Sequence, residues 1–406
     1  NKIYFPHSLG IFYQSLTQFL GFKSYGDEYK LMGLSSYGNP KYVDEIHKII
    51  KKKESGFELN LEYFLHHKKK VFELNDKGQF KYKNLYSSKI IDLLGKERLP
   101  DEEISQRHLD IAKSVQVVYE DILFYIINKI YDKYKVQNLT LSGGCAMNSL
   151  ANGKIVHNSK FKKIYISPCP GDAGGSIGSA SVIINNDYKK KINIENYSYL
   201  GPSYSNEYIS KIIDQKKLKD KFEIKFLEYK DLFTQVVDGL IKEKIIGWFQ
   251  GRTEWGPRAL GCRSILADPR NKNIKEIINK KIKRRENFRP FAPSILKEHV
   301  KDWFEEDASV PFMSEVKIIK KDKRNLIPGV THIDGSGRLQ TVTKIQNQHY
   351  YNLINEFYKA TSVPIILNTS FNENEPIVNN PEEAINCYER TNMDILVMGN
   401  WVISRK

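Results

Sequence analysis

The sequence predicts an α/β protein built from two domains. Its 406 residues exceed what one ordinary hydrophobic core organises and suit two cores of about 200 residues each. Strand-like runs meet glycine turns and helix-like stretches twice in the first half. Leu139-Thr140-Leu141 enters Ser142-Gly143-Gly144, and Ile164-Tyr165-Ile166 leads to Gly171-Asp172-Ala173-Gly174-Gly175. The second half repeats the mixture, with strands expected near 245–249, 295 and 363–367 and a strand pair around 395–403.

Taken in order, residues 1–40 read as helical and then rich in turns, with Ile11, Leu16, Phe19 and Leu20 as apolar positions. Residues 50–105 are polar, irregular and dotted with aromatics, in the manner of an insertion. Ile111, Val115, Val118, Ile122, Ile126 and Ile130 recur at helical spacing and predict a long amphipathic helix over 109–134. The lysine- and asparagine-rich passage 185–198 is the expected linker, giving domains 1–190 and 191–406. Asn1 and the opening Tyr4-Phe5-Pro6-His7 read like the middle of a domain, so a fragment is expected.

Composition narrows the partners. The net charge of +15 fits phosphate-bearing substrates, a nucleic-acid surface or a lysine-rich composition. The lysines fall in solvated runs such as 51–53, 68–70 and 189–191 without the interleaved aromatics of a strand-binding platform, which counts against nucleic acid. No run of about 18 apolar residues is present, so no membrane partner is expected. Four scattered cysteines without metal-finger spacing suit a reduced, cytoplasmic setting.

Several segments carry chemistry. Ser142-Gly143-Gly144-Cys145-Ala146-Met147-Asn148 either lets backbone amides approach a phosphate or is a turn that needs glycine. Asp172, in the second glycine turn, either caps a helix or ligates a metal beside nucleotide phosphates. Residues 251–270 hold Arg252, Arg258, Arg263 and Arg270 among glycines, prolines and apolar residues, with Glu254 as a candidate to hold one of them. Planar guanidinium groups in such a setting read as an anion clamp. A second basic set contains Lys283, Arg285 and Arg289. Asn368-Thr369-Ser370-Phe371-Asn372 ends a β-branched run with short polar side chains suited to reading phosphate oxygens or an amide, or to making a turn.

These segments resemble the NodU/CmcH-type O-carbamoyltransferase family. The likeness runs through FPHSLG (5–10), GDEYKLMGL (26–34), LSGGCAMN (141–148), PGDAGGSIGSA (170–180), GRTEWGPRALGCRSILADPR (251–270), RENFRPFAPSIL (285–296), THIDGSGRLQTV (331–342) and NTSFN with EPIV (368–372, 375–378). The resemblance implies the C-terminal part of an actin/hexokinase-like (ASKHA) domain, followed by a threonylcarbamoyl-adenylate-synthase-like (YrdC-like) α/β domain. In the latter, Lys283-x-Arg285 and Ser370-x-Asn372 match the family's Lys-x-Arg and Ser-x-Asn pairs.

The implied activity is ATP-dependent: carbamoyl phosphate and ATP give carbamoyl-adenylate, and the carbamoyl group passes to a hydroxyl of a saccharide or natural-product acceptor. Lys283, Arg285 and Arg258 are the expected catalytic set. Arg252, Arg263, Arg289, Arg338, Asn368, Ser370 and Asn372 are expected to bind carbamoyl phosphate and ATP. For the first domain the resemblance implies Glu28, Gly143, Gly144 and Asn148 around a nucleotide. It makes Asp172 a ligand of a divalent metal (magnesium, manganese or iron) completed by a preceding segment with a His-x-x-x-His pair. None of the nine histidines here has that spacing. A homodimer is an expectation of the resemblance alone. The alternatives are a tRNA threonylcarbamoyladenosine-type enzyme, which shares both folds, and a non-catalytic nucleotide-binding relative.

Overall fold

The computed structural model describes residues 2–74, 80–190 and 198–406, which fall into two compact units, Asn1–Tyr165 and Ile166–Lys406. The sequence placed the boundary after 190, and residues 191–197 of the expected linker lie outside the described residues. Between the two boundaries lies the helix Gly175–Asp187, which buries none of its residues.

In the first unit the predicted long helix runs from Gln106 to Tyr134. Its apolar stripe Ile111, Val115, Val118 and Ile122 is fully buried. The helices Leu9–Phe19, Glu28–Leu34 and Val43–Ile49 supply the rest of that core through Phe12, Leu16, Leu31 and Ile46. The stretch read as an irregular insertion forms short antiparallel hairpins, Ile50–Lys53 with Gly56–Leu59 and Phe72–Leu74 with Phe80–Tyr82. Its aromatics are not loose: Phe57, Phe64 and Tyr86 are buried. The helix-like stretch expected after the first glycine turn is instead a 3₁₀ turn, Gly144–Met147, and a single helical turn, Ser149–Asn152.

The second unit is organised by a nine-stranded sheet: β1 (Phe222–Phe226), β2 (Ile246–Phe249), β3 (Arg263–Ala267), β4 (Ala292–Leu296), β5 (Glu315–Ile318), β6 (Ser336–Val342), β7 (Ile365–Ser370), β8 (Ile395–Met398) and β9 (Trp401–Arg405). The spatial order is β5-β6-β4-β7-β3-β2-β8-β9-β1. Only the β4–β6 and β2–β8 pairings are parallel. The fold is therefore mixed α/β. β2, β3, β4 and β8 are buried along their whole length, as strands covered on both faces must be. Helices Tyr229–Ile241, Gln348–Thr361 and Pro381–Arg390 cover the sheet with Val236 and Leu240, Leu353 and Phe357, and Ile385 and Tyr388.

Two of these helices begin where an asparagine side chain accepts an otherwise unpaired amide. Asn347 takes the N–H of Tyr350 at 3.0 Å, and Asn380 that of Glu383 at 2.8 Å, with Pro381 opening the helix. This frame fixes β7 beside β3 in antiparallel register, Ser370 opposite Ser264, so the Asn368–Asn372 segment emerges next to the arginine-rich loop.

Candidate anion site

Lys283 closes a π-helical turn, Ile278–Lys283, and is 1% exposed. Such turns put one extra residue into a helix and recur at functional sites. The next residue, Arg284, is left-handed at φ 42°, a conformation unfavourable for a side-chain-bearing residue, so the chain swings sharply between Lys283 and Arg285. The Lys283 ammonium faces Asn372 Oδ1 at 2.7 Å, the Asn372 carbonyl at 2.7 Å, the Ser370 carbonyl at 2.5 Å and Ser370 Oγ at 3.3 Å. The Lys-x-Arg and Ser-x-Asn pairs thus meet in space. Burial, reinforced by the charges of Arg285 and Arg289, pushes the Lys283 pKa well below that of a free lysine.

Asn279, which sequence reading passed over, orients both arginines of this segment. Its Oδ1 accepts from Arg285 Nε at 2.8 Å, and its Nδ2 donates to the Arg289 carbonyl at 3.2 Å. The Arg285 guanidinium also lies 5.0 Å from the Phe291 ring centre. The available signal was an asparagine inside an isoleucine-rich helical stretch, where a polar side chain needs a partner. Arg289 meets Glu286 at 3.4 Å.

The four arginines of 251–270 have different fates. Arg270 forms a forked pair with Asp268, the Nη2–Oδ2 contact being 2.6 Å. Arg252 donates to the carbonyls of Gly201 and Leu200 at 3.0 and 2.7 Å. Arg263 is fully buried, donates to the carbonyls of Gln250, Gly251, Cys262 and Pro202, and stacks 3.6 Å from the Phe249 ring centre. Its donors hold the loop together. Among the described residues, only Arg258 of the four makes neither a hydrogen bond nor an ion pair, and burial lowers it to about 10. Glu254 holds no arginine directly. Its Oε1 accepts the backbone amides of Leu260, Cys262 and Arg263 at 2.8, 2.6 and 3.2 Å and staples the loop.

Arg338, on β6, completes the set. Its Nε is buried without a partner. Burial first, and then the positive charges of Arg258, Arg285 and Arg289, push it well below an ordinary arginine. Asn368 lies beneath, 1% exposed, donating to Ser294 Oγ, Gln340 Oε1 and the Ala259 carbonyl, with its own Oδ1 unpartnered. Guanidiniums crowd together at a cost that an anion removes, so the arrangement fits a phosphate-bearing ligand.

In the first unit, Gly143 adopts φ 91°, and a Cβ on Gly143 or Gly144 would meet nothing within 4 Å. Burial raises the Glu28 carboxyl above the usual range. Asn148 is buried and engaged: it exchanges hydrogen bonds with Gln116 at 3.0 and 3.1 Å and caps Ser149–Asn152 through the Ala151 amide. Gln116 also receives Tyr13 and donates to Glu120, which pairs with Lys154 at 2.7 Å. Asp172 is an exposed residue of the second unit. Among the described residues, no three His, Cys, Asp or Glu side chains could hold a metal ion. Asp172 alone does not make a metal site. All four cysteines are free thiols, and no described helix is long and apolar enough to cross a membrane.

The second unit is thus a mixed α/β sheet with a cluster of buried and half-buried cations at one place on it. The family models described as carbamoyltransferase N-terminus and carbamoyltransferase C-terminus match residues 1–181 and 237–405, and the chain belongs to this carbamoyltransferase family of enzymes. It is 39% identical to the uncharacterized protein sll1178 of Synechocystis sp., over 100% of this chain and 68% of that one. It is 34% identical to nodulation protein NolO of Bradyrhizobium diazoefficiens, over 98% of this chain and 69% of that protein. Against nodulation protein NolNO of Sinorhizobium fredii the identity is 35%, over 99% of this chain and 56% of that protein.

Proposed function

We propose that the second unit is a YrdC-like domain that makes carbamoyl-adenylate, and that the whole protein passes the carbamoyl group to a hydroxyl of a saccharide or natural-product acceptor in the ASKHA-like first domain. In the balanced reaction, carbamoyl phosphate, ATP and water give carbamoyl-adenylate, pyrophosphate and phosphate. The single observation that carries this reading is the convergence of Arg258, Arg285, Arg289 and Arg338 beside a Lys283 held against Ser370 and Asn372. Attack on the α-phosphorus and departure of pyrophosphate both spread negative charge over phosphate oxygens. Guanidiniums fixed in place stabilise that charge without first reorganising. Lys283, 1% exposed, holds the Ser370–Asn372 turn beside them. Among the described residues neither Arg258 nor Arg338 has a side-chain hydrogen bond or ion pair, so these two guanidiniums are the ones free to take phosphate oxygens.

The test is pyrophosphate release from ATP by this chain with Mg²⁺ and no acceptor. Release should require carbamoyl phosphate, vanish in Arg258→Ala and Lys283→Ala, and persist in Asp172→Ala. No release from demonstrably folded chain, or equal loss in all three variants, would overturn the assignment of adenylation to this site.

A further inference from the structure

The loop that delivers Arg338 also carries His332, which neither the clamp nor the fold uses. Residues 331–336 are tightly tied. The His332 amide donates to the Ser336 carbonyl at 2.7 Å, the Gly335 amide returns to the His332 carbonyl at 2.9 Å, and Lys275 Nζ is bound to the Thr331 carbonyl. Within that loop the hydrogen-bond directions are determined. Ser336, 1% exposed, contacts Asp334 Oδ1 at 2.6 Å, and a carboxylate only accepts, so the serine proton lies toward Asp334. Ser336 Oγ therefore presents a lone pair to His332 Nδ1 at 3.0 Å, and Nδ1 carries the ring proton. That leaves Nε2 as a bare acceptor, and it is buried without a partner.

The charges around the ring make this acceptor unusual. Arg338 and Lys275 are its cationic neighbours and Asp334 its anionic one. With burial as the largest cause, the ring is held at about 4 and so stays neutral at ordinary pH. The arginines and Lys283 of the cluster only donate, and the acceptors Asn279, Ser370 and Asn372 are already engaged by them; besides Asn368 Oδ1, His332 Nε2 is the buried acceptor there that no described residue engages. Phosphate oxygens have no hydrogen to offer Nε2, so a phosphate-only ligand leaves it unsatisfied. A ligand that pairs phosphate with an N–H group satisfies both.

Resting on the adenylation reading above, we infer that His332 Nε2 accepts a hydrogen bond from the amide NH₂ of the carbamoyl group, and so distinguishes a carbamoyl phosphate from an acyl phosphate of the same shape. Asp334 and Ser336 are positioning residues that fix the accepting tautomer. A buried acceptor left unpaired costs about 1–3 kcal/mol, so an isosteric methyl in place of NH₂ should bind roughly 10- to 100-fold more weakly.

The test uses equilibrium binding to the full chain, which does not depend on turnover. The probes are phosphonoacetamide and its methyl-ketone isostere, 2-oxopropylphosphonate, measured calorimetrically without ATP. The expected result is about 10- to 100-fold preference for the amide in the parent protein. His332→Phe should bring the ratio to about 1 by weakening the amide alone, and His332→Gln, which offers a carbonyl oxygen, should restore part of it. Ser336→Ala, a milder change, should lower the ratio by freeing the tautomer. Equal affinities in the parent protein, no binding of either probe, or equal weakening of both probes in the variants would overturn the inference. Preference for the amide in a chain that releases no pyrophosphate would uphold His332 while removing the adenylation reading.

Discussion

Both units bury polar side chains, but they finish the job differently. In the first, Tyr13, Gln116, Asn148, Glu120 and Lys154 form a chain of hydrogen bonds that ends in an ion pair. In the second, Arg258 has no partner and Arg338 has a buried Nε with none, while like charges press on Arg338. Buried polar groups are nearly always paired, so unpaired groups crowded together with like charges, as around Arg338, mark a place suited to a bound anion, whereas single unpaired atoms such as Arg263 Nε or His66 Nδ1 do not. The arginine-rich loop holds this contrast at single-residue scale: Arg263 is committed to backbone carbonyls, whereas Arg258, five positions earlier, is hydrogen-bonded to none of the described residues.

The largest predicted effect separates those two residues. Arg258→Ala should reduce carbamoyl-phosphate-dependent pyrophosphate release by about 100-fold or more, and leave thermal stability nearly unchanged. Arg263→Ala should do the reverse in origin. It strands several buried carbonyls and removes the stacking on Phe249, so unfolding free energy should fall by about 3 kcal/mol or more, measured by urea titration. Any activity lost in Arg263→Ala should track the unfolded fraction. A folded, stable Arg263→Ala that loses pyrophosphate release as Arg258→Ala does would erase the distinction.

What the sequence made legible follows from the same physics. Apolar runs such as 246–249, 365–367 and 395–398 could be read as buried strands because nothing in them resists burial. The pairing of Lys283 with Ser370 and Asn372 was carried by the motifs, and the sheet brings them together. β3 and β6 were not legible, because Arg263, Arg338, Gln340 and Thr341 look like loop residues until their partners are known. Nor could spacing sort four arginines: their fates depend on which carbonyls the 198–202 and 250–262 backbones present. Glu254 looked like an arginine partner and proved an amide staple for the same reason. The relay of His332 was hidden too, since it is defined by hydrogen-bond direction rather than residue type.

A pH titration of stability sharpens the contrast next. His332 falls from 6.5 to about 4 in the folded chain, with burial as the main cause and Arg338, Lys275 and Asp334 as the charges facing it. Its folded value is depressed, so its contribution is present above 6.5 and is lost as pH falls toward about 4, where the unfolded chain takes up a proton that the folded one refuses. The loss is at most about 3 kcal/mol. Urea titrations of the parent protein and His332→Phe between pH 7 and 4 should show a steeper decline in the parent. Parallel curves would mean that the ring is not held neutral.

The smallest effect belongs to the satisfied network. Asn148→Ala removes the acceptor of the Ala151 amide and the two contacts with Gln116, but Gln116 keeps Tyr13 and Glu120. The loss should be about 1–2 kcal/mol of stability, the usual cost of a lost cap and an incompletely paired amide. Pyrophosphate release should not change, because the residue lies in the first unit and its polar atoms are occupied by protein. A drop in release comparable to that of Arg258→Ala would show that a fully paired side chain can still serve the adenylating step. Pairing would then cease to separate scaffold from site in this molecule.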